Sequence, residues 1–125
     1  MAANATICES GALVERGPGV RFVVRRVGQA WPAFAIRHDG VVQGFVNRCA
    51  HRGVELDWEH GRFFDVENRF LICATHGALY EADSGFCVAG PCLGGRLTKV
   101  PIVERDGKVS LVSDDGWELV VSEDT

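Results

Sequence analysis

Cys49-Ala50-His51-Arg52-Gly53 and Cys73-Ala74-Thr75-His76-Gly77 are near-duplicate runs, each offering one thiol and one imidazole and each closed by a glycine. Two thiolates and two imidazoles from two loops can hold one metal centre. Such a set suits a tetrahedral zinc, or a 2Fe–2S cluster in which two His replace two Cys on one iron. Spacing separates the two. One residue lies between Cys49 and His51, two lie between Cys73 and His76, and 21 separate His51 from Cys73. Zinc fingers usually pair like with like, whereas each half-site here mixes a sulfur with a nitrogen. Each loop can therefore place its sulfur on one iron and its nitrogen on the other. The pattern favours the cluster, and a structural zinc site is the weaker reading.

Outward from these loops the chain reads as β throughout. Val20–Arg25, Ala33–Arg37 and Val41–Val46 are short runs rich in branched and aromatic residues, and Asp39-Gly40 before the last of them is a strong hairpin signal. Asp106-Gly107 is expected to join Val100–Glu104 to Lys108–Val112 in the same way, and Asp115-Gly116 to join that strand to Trp117–Val121. No stretch keeps apolar residues at helical spacing for three turns, and 15 glycines suit many tight turns. The expected fold is all-β. Strands from both ends form a small antiparallel sandwich or barrel, and residues of about 45–92 form an inserted β subdomain with both loops at its tip. Within that insert, Phe63–Ile72 reads as two strands around Glu67-Asn68, and Asp83-Ser84-Gly85 turns between Leu79–Glu81 and Phe86–Val88.

A length of 125 residues predicts one domain, 1–125, with no chain left for a second catalytic unit. The N-terminal residues Met1–Thr6 show no basic region followed by an apolar stretch, and no apolar run is long enough to span a bilayer. The expectation is a soluble, cytoplasmic protein, so Cys8, Cys87 and Cys92 are read as reduced thiols acting as small apolar fillers, with a Cys87–Cys92 bond across a turn as the alternative. A net charge of −4 argues against nucleic acid. Acidic residues gather at Glu55, Asp57 and Glu59 and between Asp114 and Asp124. They could steer a partner or simply keep a small protein soluble, and Arg48 and Arg52 argue against a uniformly negative docking face. Val54, Leu56 and Trp58 alternate with those first acids, as in extended chain with one packed side. His38 and His60 sit beside turns, and neither is expected to touch metal.

The pattern Cys-x-His, a long gap and Cys-x-x-His-Gly resembles the Rieske iron–sulfur proteins. His51-Arg52-Gly53 is similar to the first loop of the ferredoxins and oxygenases of aromatic-ring hydroxylation. Gly90-Pro91, followed by Leu97, Pro101 and Asp106-Gly107, looks like the family's proline loop and the strands after it, so the resemblance covers about residues 6–112. One departure is a gap longer than soluble Rieske ferredoxins usually have, with the extra residues placed in a longer hairpin over Phe63–Phe70.

The resemblance implies that Cys49 and Cys73 hold the buried iron of one 2Fe–2S cluster, and that His51 and His76 hold the exposed one. It also implies a low potential. High-potential respiratory members tie their loops with a disulfide, and the matching positions here are Val54 and Thr75; their serine donor is matched by Ala78. Tyr80 matches a tyrosine that donates to a cysteine sulfur, or is an ordinary half-buried strand aromatic. Gly53 and Gly77 would let backbone N–H groups approach the sulfurs closely, and Pro91 would stiffen the third loop. The implied function is electron transfer without catalytic residues: a soluble Rieske ferredoxin carrying single electrons from a ferredoxin reductase to an oxygenase or similar acceptor. An accessory small subunit of a redox complex, like that of assimilatory nitrite reductase, is the alternative.

Overall fold

The computed structural model describes residues 5–49, 54–57, 61–74, 77–91, 94–113 and 116–122. Three antiparallel sheets make up the fold. The first has the order β1-β10-β9, built from β1 (Ala5–Glu9), β10 (Lys108–Leu111) and β9 (Ile102–Arg105). The second runs β11-β2-β3-β4-β8, from β11 (Glu118–Ser122), β2 (Val20–Arg26), β3 (Gln29–His38), β4 (Val41–Val46) and β8 (Lys99–Val100). The third is β5 (Leu71–Cys73), β6 (Ala78–Tyr80) and β7 (Cys87–Ala89) in that order. Because β4 pairs with β8, the chain between them leaves the central sheet and returns to the neighbouring strand. The third sheet lies within that excursion, as the sequence led one to expect.

Alternation along β3 explains how one sheet serves two cores. Ala33 and Ala35 join Phe22, Val24, Val100, Val109 and Leu111 in the core shared with the first sheet. Phe34 and Ile36 point the other way, into a second core with Phe45, Leu56, Phe63, Leu71 and Tyr80. Successive strand residues face opposite sides, so four consecutive buried residues, Ala33 to Ile36, mark a strand covered on both faces. The Phe34 and Phe63 rings stack with centroids 3.9 Å apart and anchor the inserted segment on the central sheet. Fully burying such a side chain contributes roughly 1.5–3 kcal/mol.

The hairpins at Asp39-Gly40 and Asp106-Gly107 form as expected, with φ of 52° and 78° in the first and 54° and 77° in the second. Left-handed residues at both central positions give the turn twist that matches paired strands. Four elements differ from expectation; in the insert, Phe63–Ile72 holds only the start of β5 and a single bridge from Phe64 to Leu71 rather than two strands. Strand β1 carries no turn signal of its own and was not anticipated. Pro101 has no N–H for a ladder and splits the expected strand Val100–Glu104 into β8 and β9, which belong to different sheets. Both edges of β10 are occupied, by β1 and β9, so β11 cannot pair with it and crosses to the free edge of β2 instead. Asp115 lies outside the described residues.

The two sheets of the base are fastened by Arg37. Its guanidinium donates to both carboxylate oxygens of Glu104 at 2.9 and 2.5 Å, and to the carbonyls of Leu13 and Ser10 at 2.7 and 3.2 Å. This bidentate bond holds the Glu104 carboxyl at about 2, well below its ordinary 4.5.

Candidate metal centre

Each half-site hangs from a short backbone closure. The N–H of Cys49 donates to the carbonyl of Val54 at 2.6 Å, and the N–H of Gly77 donates to the carbonyl of Cys73 at 2.9 Å. The second closure sits on the β5–β6 hairpin, where Cys73 pairs with Ala78. A third bond joins the two half-sites, from the N–H of Ala74 to the carbonyl of Leu56 at 3.1 Å. His51 and His76, with Ala50, Arg52, Gly53 and Thr75, lie outside the described residues.

Cys49 and Cys73 are in no disulfide, are 1% and 0% exposed, and both belong to the second core. The Tyr80 hydroxyl lies 3.3 Å from the Cys49 sulfur. Tyr80 is fully buried rather than half-buried, and its hydroxyl reaches the sulfur, which decides between its two readings. Thiolates buried this deeply are stable when a metal compensates their charge, and a hydroxyl at hydrogen-bonding distance suits a sulfur that carries no proton. The described donors therefore fit a thiolate-bound metal centre.

The third loop closes on the second. Gly90 adopts φ +89°, and a Cβ there would stand 3.1 Å from both the Ala78 Cα and the Gly77 carbonyl oxygen. Pro91 follows at the surface. Gly77 has φ +73°, a conformation that favours glycine whatever the space around it. Its requirement is thus already conformational, without appeal to the close approach to sulfur expected of it. Gly53 lies outside the described residues.

Beneath the first half-site is a polar network that sequence reasoning missed. Asn47, 1% exposed, accepts from the N–H of Leu56 at 2.8 Å and donates to Asp57 at 2.8 Å. Asp57 also accepts from the N–H of Gly61 at 3.0 Å, and Arg21 lies 3.5 Å from the same oxygen. Arg21 reaches Glu55 at 2.7 Å. The acidic run is therefore no unpaired docking face at these two positions. The expected alternation also fails: Asp57 is buried beside Leu56, while Val54 is 40% exposed. Satisfying two N–H groups outweighs the apolar pattern here. Trp58, Glu59 and His60 lie outside the described residues.

Other expectations are corrected by contacts. Cys87 is disulfide-bonded, not a reduced filler, whereas Cys8 is buried and in no disulfide; Cys92 lies outside the described residues. His38 is not fully solvated: its side chain is 16% exposed and its ring lies over Phe64 with centroids 6.4 Å apart. The Arg48 guanidinium sits 5.4 Å from the centroid of the Trp31 ring. Among the described residues no group of three or more metal-binding side chains is found, and no helix is long and apolar enough to cross a membrane.

A family model of the Rieske [2Fe-2S] domain matches residues 5–113, and the chain belongs to that family. Membership implies a 2Fe–2S cluster. No curated protein matches the chain. Among solved structures it is similar to the Sphingomonas yanoikuyae B1 ferredoxin, with 20% identity and a TM-score of 0.67 over 88% of this chain and 98% of that one. A chain of the complex of reduced oxygenase and oxidized ferredoxin in carbazole 1,9a-dioxygenase gives 19% identity and a TM-score of 0.66, covering 94% and 97%. The terminal oxygenase of carbazole 1,9a-dioxygenase from Novosphingobium sp. KA1 is 27% identical, with a TM-score of 0.69 over 87% of this chain but only 29% of its own. The two lower-identity likenesses establish the Rieske fold.

Proposed function

We propose that the chain is a soluble, cytoplasmic one-electron carrier of low potential, a single Rieske domain over 1–125 whose 45–92 insert holds the 2Fe–2S cluster. Cys49 and Cys73 bind one iron; His51 and His76, assigned by the spacing and the family pattern, bind the other. The observation that carries this reading is the pair of buried cysteines outside any disulfide, each at a hydrogen-bonded loop base in one core. When bound, such a cluster takes up and returns one electron. The residues of the chain do the rest. Leu56, Leu71 and Ala78 keep water from the sulfur side. Tyr80 donates its hydroxyl hydrogen to the Cys49 thiolate.

Electrons come from a ferredoxin reductase and pass to an oxygenase or similar acceptor, and the chain itself carries out no catalysis. The ferredoxin–oxygenase complex among its structural likenesses supports that pairing. Stopped-flow reduction by a reductase at several salt concentrations tests it, since screening weakens charge steering. Arg52→Glu should slow reduction and leave the visible spectrum unchanged, whereas Glu123→Lys in the acidic tail should do little. Tail variants slower than Arg52 variants would move docking to the C-terminus. No reduction by any reductase would remove the carrier reading.

A further inference from the structure

Asn47 and Asp57 are buried polar side chains with no ligand role. A buried carboxylate is costly unless its oxygens are satisfied. Among the described residues, the bonds of the pair go to the backbone around the first half-site, to Arg21, or between the two side chains, apart from a longer 3.4 Å contact from Asn47 to Glu55. Asn47 is itself held at the sheet, its N–H donating to the Pro32 carbonyl at 2.7 Å. Its side chain then grips Leu56, and Asp57 grips Gly61. Cys49 lies in the chain between Asn47 and Leu56, and the Leu56 carbonyl accepts from Ala74, the neighbour of Cys73. A hydrophobic pair of similar volume would fill the space but leave the N–H groups of Leu56 and Gly61 without these acceptors.

We propose that Asn47 and Asp57 are positioning residues, a clasp that sets the Cys49 loop and, through Leu56, keeps it in register with the Cys73 loop. This rests on the reading of Cys49 and Cys73 as ligands. The clasp acts on the geometry presented to the cluster, not only on the stability of the fold.

The test uses Asn47→Asp, Asp57→Asn and the double exchange, all nearly isosteric. The first single change sets two carboxylates against each other with no donor between them. The second removes one acceptor oxygen and the charge facing Arg21. In the double variant the new carboxylate at position 47 accepts from Leu56 and from the new amide at position 57, whose oxygen accepts from Gly61. Three readouts are taken on the iron-loaded protein: chelator-driven loss of visible absorption, the width of the electron paramagnetic resonance signal after reduction, and the denaturation midpoint. Val109→Ala, in the core away from the loops, serves as the comparison of similar destabilisation. Each single variant should lose absorption roughly tenfold faster than Val109→Ala or more, with a broadened signal, and the exchange should recover most of both. Single variants that bleach no faster than Val109→Ala, with an unchanged signal, would overturn the proposal alone. Wild-type protein without iron-dependent absorption, or Cys73→Ala that keeps it, would overturn the ligand reading beneath it.

Discussion

A single hydroxyl illustrates how much chemistry one residue can carry here. With Cys49 as the proposed thiolate ligand, the hydrogen bond between Tyr80 and Cys49 would run from the hydroxyl to the sulfur and would strengthen as the centre gains an electron. Removing it should disfavour the reduced state. Tyr80→Phe is expected to lower the midpoint potential by ~40 mV, a hydrogen bond of about 1 kcal/mol acting on a one-electron couple. Ala78→Ser should shift it the other way. The wild-type value should lie at roughly −150 to −50 mV, the low end of the Rieske span, and voltammetry above about +150 mV would contradict this account. Tyr80 was legible because its distance from His76 matches a family pattern. Asn47 and Asp57 were not: their meaning comes from N–H groups of Leu56 and Gly61, which no periodicity or spacing reveals.

Among elements, local turn chemistry was readable and strand pairing was not. Asp-Gly marked two hairpins, yet the β2–β3 hairpin turns on Val27-Gly28, with φ of 51° and 74°. A β-branched residue in that conformation is strained, and Val27 is 95% exposed, so nothing packs against it in return. Val27→Asn should raise stability by about 1 kcal/mol, visible as a higher denaturant midpoint with an unchanged slope. Unaltered stability would mean the strain is relieved elsewhere. The crossing of β11 to β2 was hidden because it depends on which edges other strands have filled, a property of the assembled sheet. Between the sheets, the Arg37–Glu104 bond makes a pH prediction. Glu104 titrates lower folded than unfolded, so its contribution is full above about 4.5 and is lost as pH falls toward about 2. Glu104→Gln should cost about 1 kcal/mol at neutral pH and flatten the acid limb of the stability curve over that window. An acid limb unchanged by the substitution would show that other carboxylates dominate it.

For the whole molecule, the arrangement is a two-sheet base with an inserted third sheet, and the double-faced strand β3 joins the two cores. The insertion was visible in the sequence because both candidate ligand pairs fall between strands with hairpin signals. Its attachment rests on Phe34 and Phe63, whose stacking only the fold reveals. Two buried thiols at hydrogen-bonded loop bases, in a chain of the Rieske family, form the basis of the functional reading. The most direct check is to count iron and acid-labile sulfide in aerobically purified protein and titrate its colour with reductant. About two irons and two sulfides per chain, in a red-brown protein that bleaches reversibly with one electron, is the expected result. A colourless, natively folded protein holding stoichiometric zinc would contradict it.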